Sequence, residues 1–287
     1  MASERLPALP QLRPLYLRGA LGLVGRHGDK LPERELLVDD VRIDPDRLAA
    51  YDRVCGYRLG DEVPATYLHV LAFPLQVAQM AERAFPFPLP GLVHIRNSIT
   101  VTRPVHLASS LTFRVHAERL LPHRKGAQVD LVSRAEVEGQ TVWFGRSTYL
   151  APGRRVARLT DEHDTEVMLR EELAVPVRTA AVVHVPRDLG RRYAKVSGDV
   201  NPIHLGRLRA RLFGFKRPIA HGMWAKARCL AALEGRLPST YTVDVEFRKP
   251  VLLPGTVEFA SARRDDGWSF GLRSPSGSPH LLGRVRA

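Results

Sequence analysis

The chain contains 287 residues, of which 44% are hydrophobic and 25% charged, and its formal net charge is +13. This length suits two domains of about 100–150 residues, each with its own core. The positive excess is mostly scattered arginine, without an aromatic-interleaved basic motif or zinc-ligand spacing, so we expect no nucleic-acid partner. Two cysteines, Cys55 and Cys229, are too few for a disulfide framework and are predicted to be buried thiols.

The first half of the chain begins with residues 1–30, which carry arginines but no continuous apolar core, so no signal peptide is predicted. No uncharged stretch approaches the ~20 residues of a membrane-spanning helix, and we expect a soluble cytoplasmic protein. Residues 64–85 form a long helix-like run. Four alternating or β-branched runs follow and predict strands: HIRNSITVTRPV, SSLTFRVHAERL, GAQVDLVSRAEV and QTVWFGRSTYL.

The second half repeats this order of signals. Residues 220–235 predict a helix that ends near Gly235 and carries one apolar stripe, formed by Met223, Ala227, Leu230 and Ala231. Four further runs predict strands: TYTVDVEFRKPV, GTVEFASARR, WSFGLRS and HLLGRVRA. Pro-Gly, Asp-Gly and Ser-Gly dipeptides fit antiparallel connections. A long helix followed by such strands predicts an α+β fold in which a sheet curls around the helix.

An internal repeat relates the two halves. YDRVCG at 51–56 resembles YAKVSG at 193–198, and PVHLASSLTF at 104–113 resembles PVLLPGTVEF at 250–259. We therefore predict two similar domains, residues 1–155 and residues 156–287, with their joint in the polar stretch 151–166.

The two halves differ in one place, where residues 199–217 are much longer than the corresponding residues 57–63. The longer segment contains Asp199, Asn201 and His204. Since duplicated scaffolds keep their cores and vary the loops that carry function, we predict one active site per chain, in the C-terminal half.

The residues around this cluster restrict its backbone. Gly198 permits a sharp turn before Asp199, and Pro202 fixes its own φ and favours an extended Asn201. Asp199 and His204 are then held on a stiff segment, as a general acid/base pair requires. Because histidine has an intrinsic pKa of about 6.5, the pair is suited to activating a water molecule near neutral pH.

Gly222 is the second candidate element, in the stretch AHGM at 220–223. A free amide there, at the positive end of a helix dipole, forms an anion site and would stabilise the enolate of a bound thioester. Asp199, His204 and this amide together supply the groups needed to add or remove water beside a thioester carbonyl.

Other chemistries fit the same residues less well. Asp199 alone also suits a turn cap. A metal site from Asp199, His204 and His221 lacks a further ligand at a usual spacing, so no metal is predicted. No Gly-x-Ser-x-Gly motif occurs, and Cys229 is expected to be buried rather than nucleophilic.

Residues 193–204, YAKVSGDVNPIH, resemble the signature of the MaoC-like, (R)-specific enoyl-CoA hydratases. RPIAHGM at 217–223 resembles the start of that family's central hot-dog helix, whereas the remaining chain agrees only in its repeat and strand pattern. The resemblance implies a double hot-dog fold, with two antiparallel sheets each wrapped around a central helix. It also implies a catalytic C-terminal domain and a degenerate, non-catalytic N-terminal domain that helps to shape a tunnel for the acyl chain.

The same resemblance implies the reaction and the site. The reaction would be reversible (R)-specific hydration of trans-2-enoyl thioesters, or dehydration of (R)-3-hydroxyacyl thioesters, in fatty-acid metabolism, without metal or redox cofactor. Asp199 and His204 would bind and activate water, Asn201 would orient the pair, and the Gly222 amide would bind the carbonyl. Further substrate contacts are expected from Ser197, Gly198, Pro202, His221 and Met223.

The expected partner is an acyl thioester of CoA or of acyl carrier protein, and a homodimer is suggested by family habit. The basic segment 207–217 is a candidate docking surface for either carrier. Three alternatives stay open: a non-catalytic acyl-thioester-binding hot-dog protein, a hot-dog thioesterase, and a basic nucleic-acid-binding protein. The first does not need the Asp199–His204 pair, the second releases a free thiol, and the third does not explain the duplication.

Overall fold

The structure, a computed structural model, describes residues 2–21, 30–156 and 179–287. The chain forms two compact units: the first contains Met1–Asp44 and Asp61–Asp161, and the second contains Pro45–Gly60 and Glu162–Ala287. The polar stretch 151–166, predicted to hold the joint, is described only as far as residue 156. A purely sequential division at residue 155 does not describe residues 45–60, which belong to the second unit.

The described helices are, in chain order, α1 (Leu12–Leu21), α2 (Pro45–Cys55), α3 (Ala65–Ala81), α4 (Leu189–Ser197), α5 (Pro202–Leu205), α6 (Arg207–Leu212) and α7 (Gly222–Ala232). The strands of the first unit are β1 (Ala2–Arg5), β2 (Arg34–Arg42), β3 (Val93–Val101), β4 (Ser110–His123), β5 (Gly126–Val137) and β6 (Gln140–Pro152). The strands of the second unit are β7 (Thr179–Val185), β8 (Tyr241–Phe247), β9 (Gly255–Arg264), β10 (Gly267–Arg273) and β11 (Pro279–Arg286).

In the first unit the strands are ordered β1-β2-β4-β5-β6-β3, and all pairs are antiparallel except the parallel pair β1–β2. Helix α3 packs on strands β3 to β6. Nearly every residue of α3 is buried, as expected for a helix that is apolar on all sides. The indole N–H of Trp143 donates to the carbonyl of Ala65 over 3.0 Å and ties the start of α3 to β6.

In the second unit the order is β8-β11-β10-β9-β7, with every pair antiparallel. Helix α7 packs against β10, and α2 packs against α4. The two packed helices α2 and α4 carry the repeated Tyr-x-x-Val-x-Gly segments, and the rings of Tyr51 and Tyr193 lie 6.1 Å apart. This contact between repeat equivalents explains why residues 45–60 belong to the second unit.

The α+β class predicted from the sequence is confirmed, because each unit combines helices with a mixed or antiparallel sheet. The predicted strands at 126–137 and 255–264 coincide with β5 and β9. Strands β1, β2 and β7 and the short helices α5 and α6 were not predicted. Cys55 and Cys229 are free and buried, which confirms their prediction as buried thiols. None of the helices in the described part of the chain is long and apolar enough to span a membrane.

Candidate active site

The cluster begins where α4 ends. Gly198 has a φ of +78°, in the left-handed region that favours glycine, and its N–H donates to the carbonyl of Ala194. The predicted sharp turn before Asp199 is therefore confirmed. Ser197 supports this turn from below, because its buried hydroxyl donates to the carbonyl of Tyr193 over 2.8 Å and accepts from the Asp199 N–H over 3.2 Å.

Asp199 and Asn201 hold the next turn through their side chains. The Asn201 N–H donates to Oδ1 of Asp199 over 3.1 Å, and the Ile203 N–H donates to Oδ1 of Asn201 over 3.4 Å. Asn201 is thereby the N-cap of α5, and Pro202 occupies the first helical position. The φ of −53° and ψ of 126° at Asn201 confirm the extended conformation predicted for the residue before Pro202.

His204 lies on α5 and is only 8% exposed. Its Nδ1 lies 2.8 Å from the carbonyl oxygen of Ile219. Because a carbonyl can only accept, Nδ1 carries the proton and Nε2 is left as the basic nitrogen. A Cβ at Gly190 would lie 2.0 Å from the backbone oxygen of His204. Only glycine at position 190 allows α4 to approach the segment that carries His204 this closely.

His221 lies beside His204, and their rings stack with centroids 3.6 Å apart and planes inclined by 26°. The Nε2–H of His221 donates to the backbone carbonyl of Asp199 over 3.0 Å, and Nε2 is 3.8 Å from Oδ2 of the same residue. The His221 ring also contacts the Tyr193 ring, with centroids 4.8 Å apart. The Nδ1 of His221 is buried and has no hydrogen-bond partner in the described part of the chain.

Burial controls the electrostatics of both rings. The pKa of His204 is lowered to about 3, mainly by burial and also by His221, while Asp199 and the Ile219 carbonyl oppose the shift. Burial also lowers the pKa of His221, again against the effect of Asp199. Both imidazoles are therefore neutral at neutral pH, the state in which His204 can accept a proton.

Asp199, His204 and His221 each place one potential ligand atom within 4.8 Å of the others. A metal–nitrogen bond lies in the plane of the imidazole and is about 2.0–2.1 Å long. The two rings are stacked 3.6 Å apart and inclined by only 26°. Their planes therefore do not meet within a metal–nitrogen bond length of both rings. The arrangement thus does not fit an ion held by both histidines, although the three side chains are close together.

Helix α7 begins at Gly222, with His221 as an N-cap whose side chain makes no capping hydrogen bond. The first amides of a helix have no partner inside it, so they are available to an external acceptor. A Cβ at Gly222 would lie 3.0–3.2 Å from ring atoms of Phe247 on β8, so the absence of a side chain here lets α7 pack tightly on that strand. Met223, expected at the substrate, is buried in the first turn of the same helix.

Lys226 is a buried charge that sequence reasoning missed. It is 0% exposed, one turn after Gly222, and its Nζ donates to the carbonyl of Val243 over 3.1 Å. Burial lowers the pKa of Lys226 to about 7, and the nearby Asp244 opposes this shift. The sequence signal was a lysine in a run of apolar residues on the predicted central helix. Gly190 gave no such signal, because its role depends on the tertiary approach of α4.

Comparison with known proteins agrees with the motif. A family model described as "MaoC like domain" matches residues 165–271. The 3-hydroxyacyl-thioester dehydratase X of Mycobacterium tuberculosis is 40% identical over 269 residues, which cover 93% of this chain and 94% of that protein. The crystal structure of HtdX from the same organism gives a TM-score of 0.77 at 38% identity, and the alignment covers 88% of this chain and 100% of that chain.

A more distant structure, a MaoC-like dehydratase from Phytophthora capsici, gives a TM-score of 0.67 at 18% identity over 89% of this chain and 95% of that chain. At this identity it supports the fold alone. The relative in Mycobacterium tuberculosis matches nearly the whole chain at an identity that establishes common family membership, and the chain therefore belongs to the family of MaoC-like dehydratases.

Proposed function

We propose that this protein catalyses the reversible dehydration of (R)-3-hydroxyacyl thioesters to trans-2-enoyl thioesters. The observation that carries the proposal is the rigid pairing of Asp199 with His204. A carboxylate oxygen of Asp199 and a ring nitrogen of His204 lie within 4.8 Å of each other. The Mycobacterium relative is named a 3-hydroxyacyl-thioester dehydratase, which supports the same substrate class. The reaction adds or removes the elements of water without net oxidation, so it needs no redox cofactor.

His204 acts as the base in the dehydration direction. Its Nδ1–H is held by the Ile219 carbonyl, so Nε2 accepts the proton from C2 of the substrate. The carboxyl group of Asp199 binds the 3-hydroxyl group. His204 passes the proton taken from C2 to this oxygen as the C3–O bond breaks, so water leaves and both side chains return to their starting states. In the hydration direction the same water, held between the two side chains, gives its hydroxyl to C3 and a proton to C2.

The amide of Gly222 stabilises the charge that develops on the thioester oxygen. It lies in the first turn of α7, where amides have no partner within the helix and the helix dipole favours negative charge. Removal of one such donor typically costs about 10²–10³ in rate. The buried, unsatisfied Nδ1 of His221 gives independent support for a polar molecule in this region, since buried acceptors are normally satisfied.

Asn201 and Ser197 act as positioning residues in this proposal. Asn201 caps the helix that carries His204, and the Ser197 hydroxyl already makes two hydrogen bonds to backbone groups. We therefore reassign Ser197 from a substrate contact to a support of the Asp199 turn. Gly198 and Pro202 act in the same way, through their backbone conformations.

The finer architecture in this proposal is a double hot-dog, in which the first domain is degenerate and the second catalytic. It is supported by two units that each combine a largely buried helix with a mostly antiparallel sheet. Only the second unit carries the Asp199 insertion. A cytoplasmic location and a homodimer stay predictions, which cell fractionation and light scattering check.

Incubation with crotonyl-CoA and with a longer trans-2-enoyl-CoA tests the proposed activity. Hydration removes the conjugated double bond, so we expect the absorbance of the enoyl thioester to fall without release of free CoA thiol. Release of thiol would indicate a thioesterase instead. Binding without any chemical change would indicate a non-catalytic acyl-thioester-binding protein.

A further inference from the structure

The residues between His204 and Ile219, here called the 205–218 excursion, form a closed loop that is largely exposed. Its two ends meet at the catalytic histidine, because Nδ1 of His204 donates to the Ile219 carbonyl over 2.8 Å. A second bond joins the Ile219 N–H to the carbonyl of Ile203 over 3.2 Å. The excursion is thus anchored at the proposed active site, and whatever binds it is brought next to His204.

Large apolar side chains are exposed on this excursion. Leu208 is 78% exposed, Leu212 is 84% exposed, and Phe213 is 39% exposed. Leu208 and Leu212 are four residues apart on α6, so they share one face of that helix. Burying such side chains is favourable, and exposed apolar side chains that cluster within a rim of polar residues are typical of an interaction site.

The same excursion carries only positive charge. Its five basic residues are all exposed, and its sequence contains no acidic residue. Within the described parts of the chain, none of the five forms an ion pair with a carboxylate, and their one side-chain hydrogen bond runs from Arg217 to the carbonyl of Pro254. The basic residues are Arg207, Arg209, Arg211, Lys216 and Arg217.

The exposed apolar side chains and the positive charges together restrict the class of molecule that can bind the excursion. Free CoA offers phosphates to the arginines but no surface that would cover Leu208 and Leu212. A second copy of this chain would bring a strongly positive protein of net charge +13 against the same positive patch. An acidic protein with apolar side chains among its carboxylates satisfies both features.

We propose that the 205–218 excursion is the docking surface for an acidic acyl carrier protein, which delivers its thioester to His204. The proposal rests on the proposed function, because the carrier must bear the substrate of that reaction. The arginines accelerate association with the negative carrier, and the exposed leucines and phenylalanine are buried in the complex. The excursion thus distinguishes the protein-bound substrate from the CoA-bound one.

The test compares kcat/KM for one trans-2-enoyl group carried either by acyl carrier protein or by CoA. A triple charge reversal on α6 (Arg207→Glu, Arg209→Glu, Arg211→Glu) and a double Leu208→Ser, Leu212→Ser variant are measured beside the parent. The matched control reverses three exposed charges elsewhere: Arg103→Glu, Arg124→Glu and Lys125→Glu. Thermal unfolding followed by circular dichroism verifies that each variant is folded.

We expect both excursion variants to lose about tenfold or more in kcat/KM with the acyl-carrier substrate. Their kcat/KM with the CoA substrate, and that of the control variant with either substrate, should stay within about twofold of the parent's values. Equal losses with both carriers, or no loss with either, would overturn the docking proposal. Activity that is absent in the parent with both carriers would instead contradict the proposed function. A membrane partner is tested by sedimentation of the protein with vesicles that contain phosphatidylglycerol. If the parent sediments with the vesicles, the double leucine variant does not, and that variant keeps its full activity on the acyl-carrier substrate, the surface binds a membrane and the proposal is overturned.

Discussion

His204 and His221 are locked together by a reciprocal exchange of hydrogen bonds across their stacked rings. The Nδ1–H of His204 donates to the carbonyl of Ile219, two residues before His221. The Nε2–H of His221 donates to the carbonyl of Asp199, five residues before His204. Each ring therefore fixes the backbone of the other's segment, and the exchange sets the tautomer of both imidazoles.

His221→Phe tests this relationship through the pH dependence of catalysis. The substitution keeps a planar ring beside His204 but removes the effect by which His221 lowers the pKa of His204. We expect the acidic limb of kcat/KM, which reports the base of the free enzyme, to move to higher pH. An acidic limb at the parent's position would show that His221 does not influence the proton affinity of His204.

His204 also links stability to pH. Its pKa is lowered in the folded state from 6.5 to about 3, so between these values the unfolded chain binds the extra proton. The free energy of unfolding therefore decreases as pH falls through this window. Urea unfolding at pH 7 and pH 5 should show a smaller loss for His204→Gln than for the parent. Equal losses in the two proteins would contradict a buried, neutral His204.

Gly190→Ala tests the support of the catalytic segment. The new Cβ would overlap the backbone oxygen of His204 at 2.0 Å, so α4 or α5 has to move. A misplacement of about 1 Å costs on the order of a hundredfold in rate, and we expect kcat to fall by a similar factor. Gly206→Ala is the matched control, because Gly206 has an extended φ of −173° and a Cβ there meets no atom within 4 Å. Equal activity of the two variants would refute the close packing of Gly190.

Lys226→Met tests the buried lysine. The pKa of Lys226 is lowered in the folded state from 10.5 to about 7, so the unfolded chain binds more protons between these values. The free energy of unfolding of the parent therefore rises with pH across this window. Denaturant unfolding at pH 7 and pH 10 should show a smaller rise for Lys226→Met. An identical rise in both proteins would mean that Lys226 is not a buried titrating group.

The sequence predicted the part of the site that is local in the chain. Asp199, Asn201 and His204 lie within one short stiff segment, whose backbone is restricted locally by Gly198 and Pro202. His221 was expected at the substrate, but its stacking on His204 depends on the return of the chain after the 205–218 excursion. Such a contact has no local sequence pattern.

The missed features have the same physical origin. The approach of α4 to His204 through Gly190 and the packing of α2 on α4 are tertiary contacts between segments distant in the chain. Lys226 was missed for a different reason. Its position on the apolar helix was visible in the sequence, but helical periodicity alone does not show that its amine is buried against Val243.

The hydration assay with Asp199→Asn and His204→Gln tests the central claim most directly. Crotonyl-CoA and a longer trans-2-enoyl-CoA are used as substrates, and circular dichroism verifies that both variants are folded. If these side chains perform acid–base catalysis on a thioester, each substitution lowers kcat by about 10²–10⁴. Nearly full activity in both folded variants would contradict the account, because it would place the chemistry elsewhere in the protein.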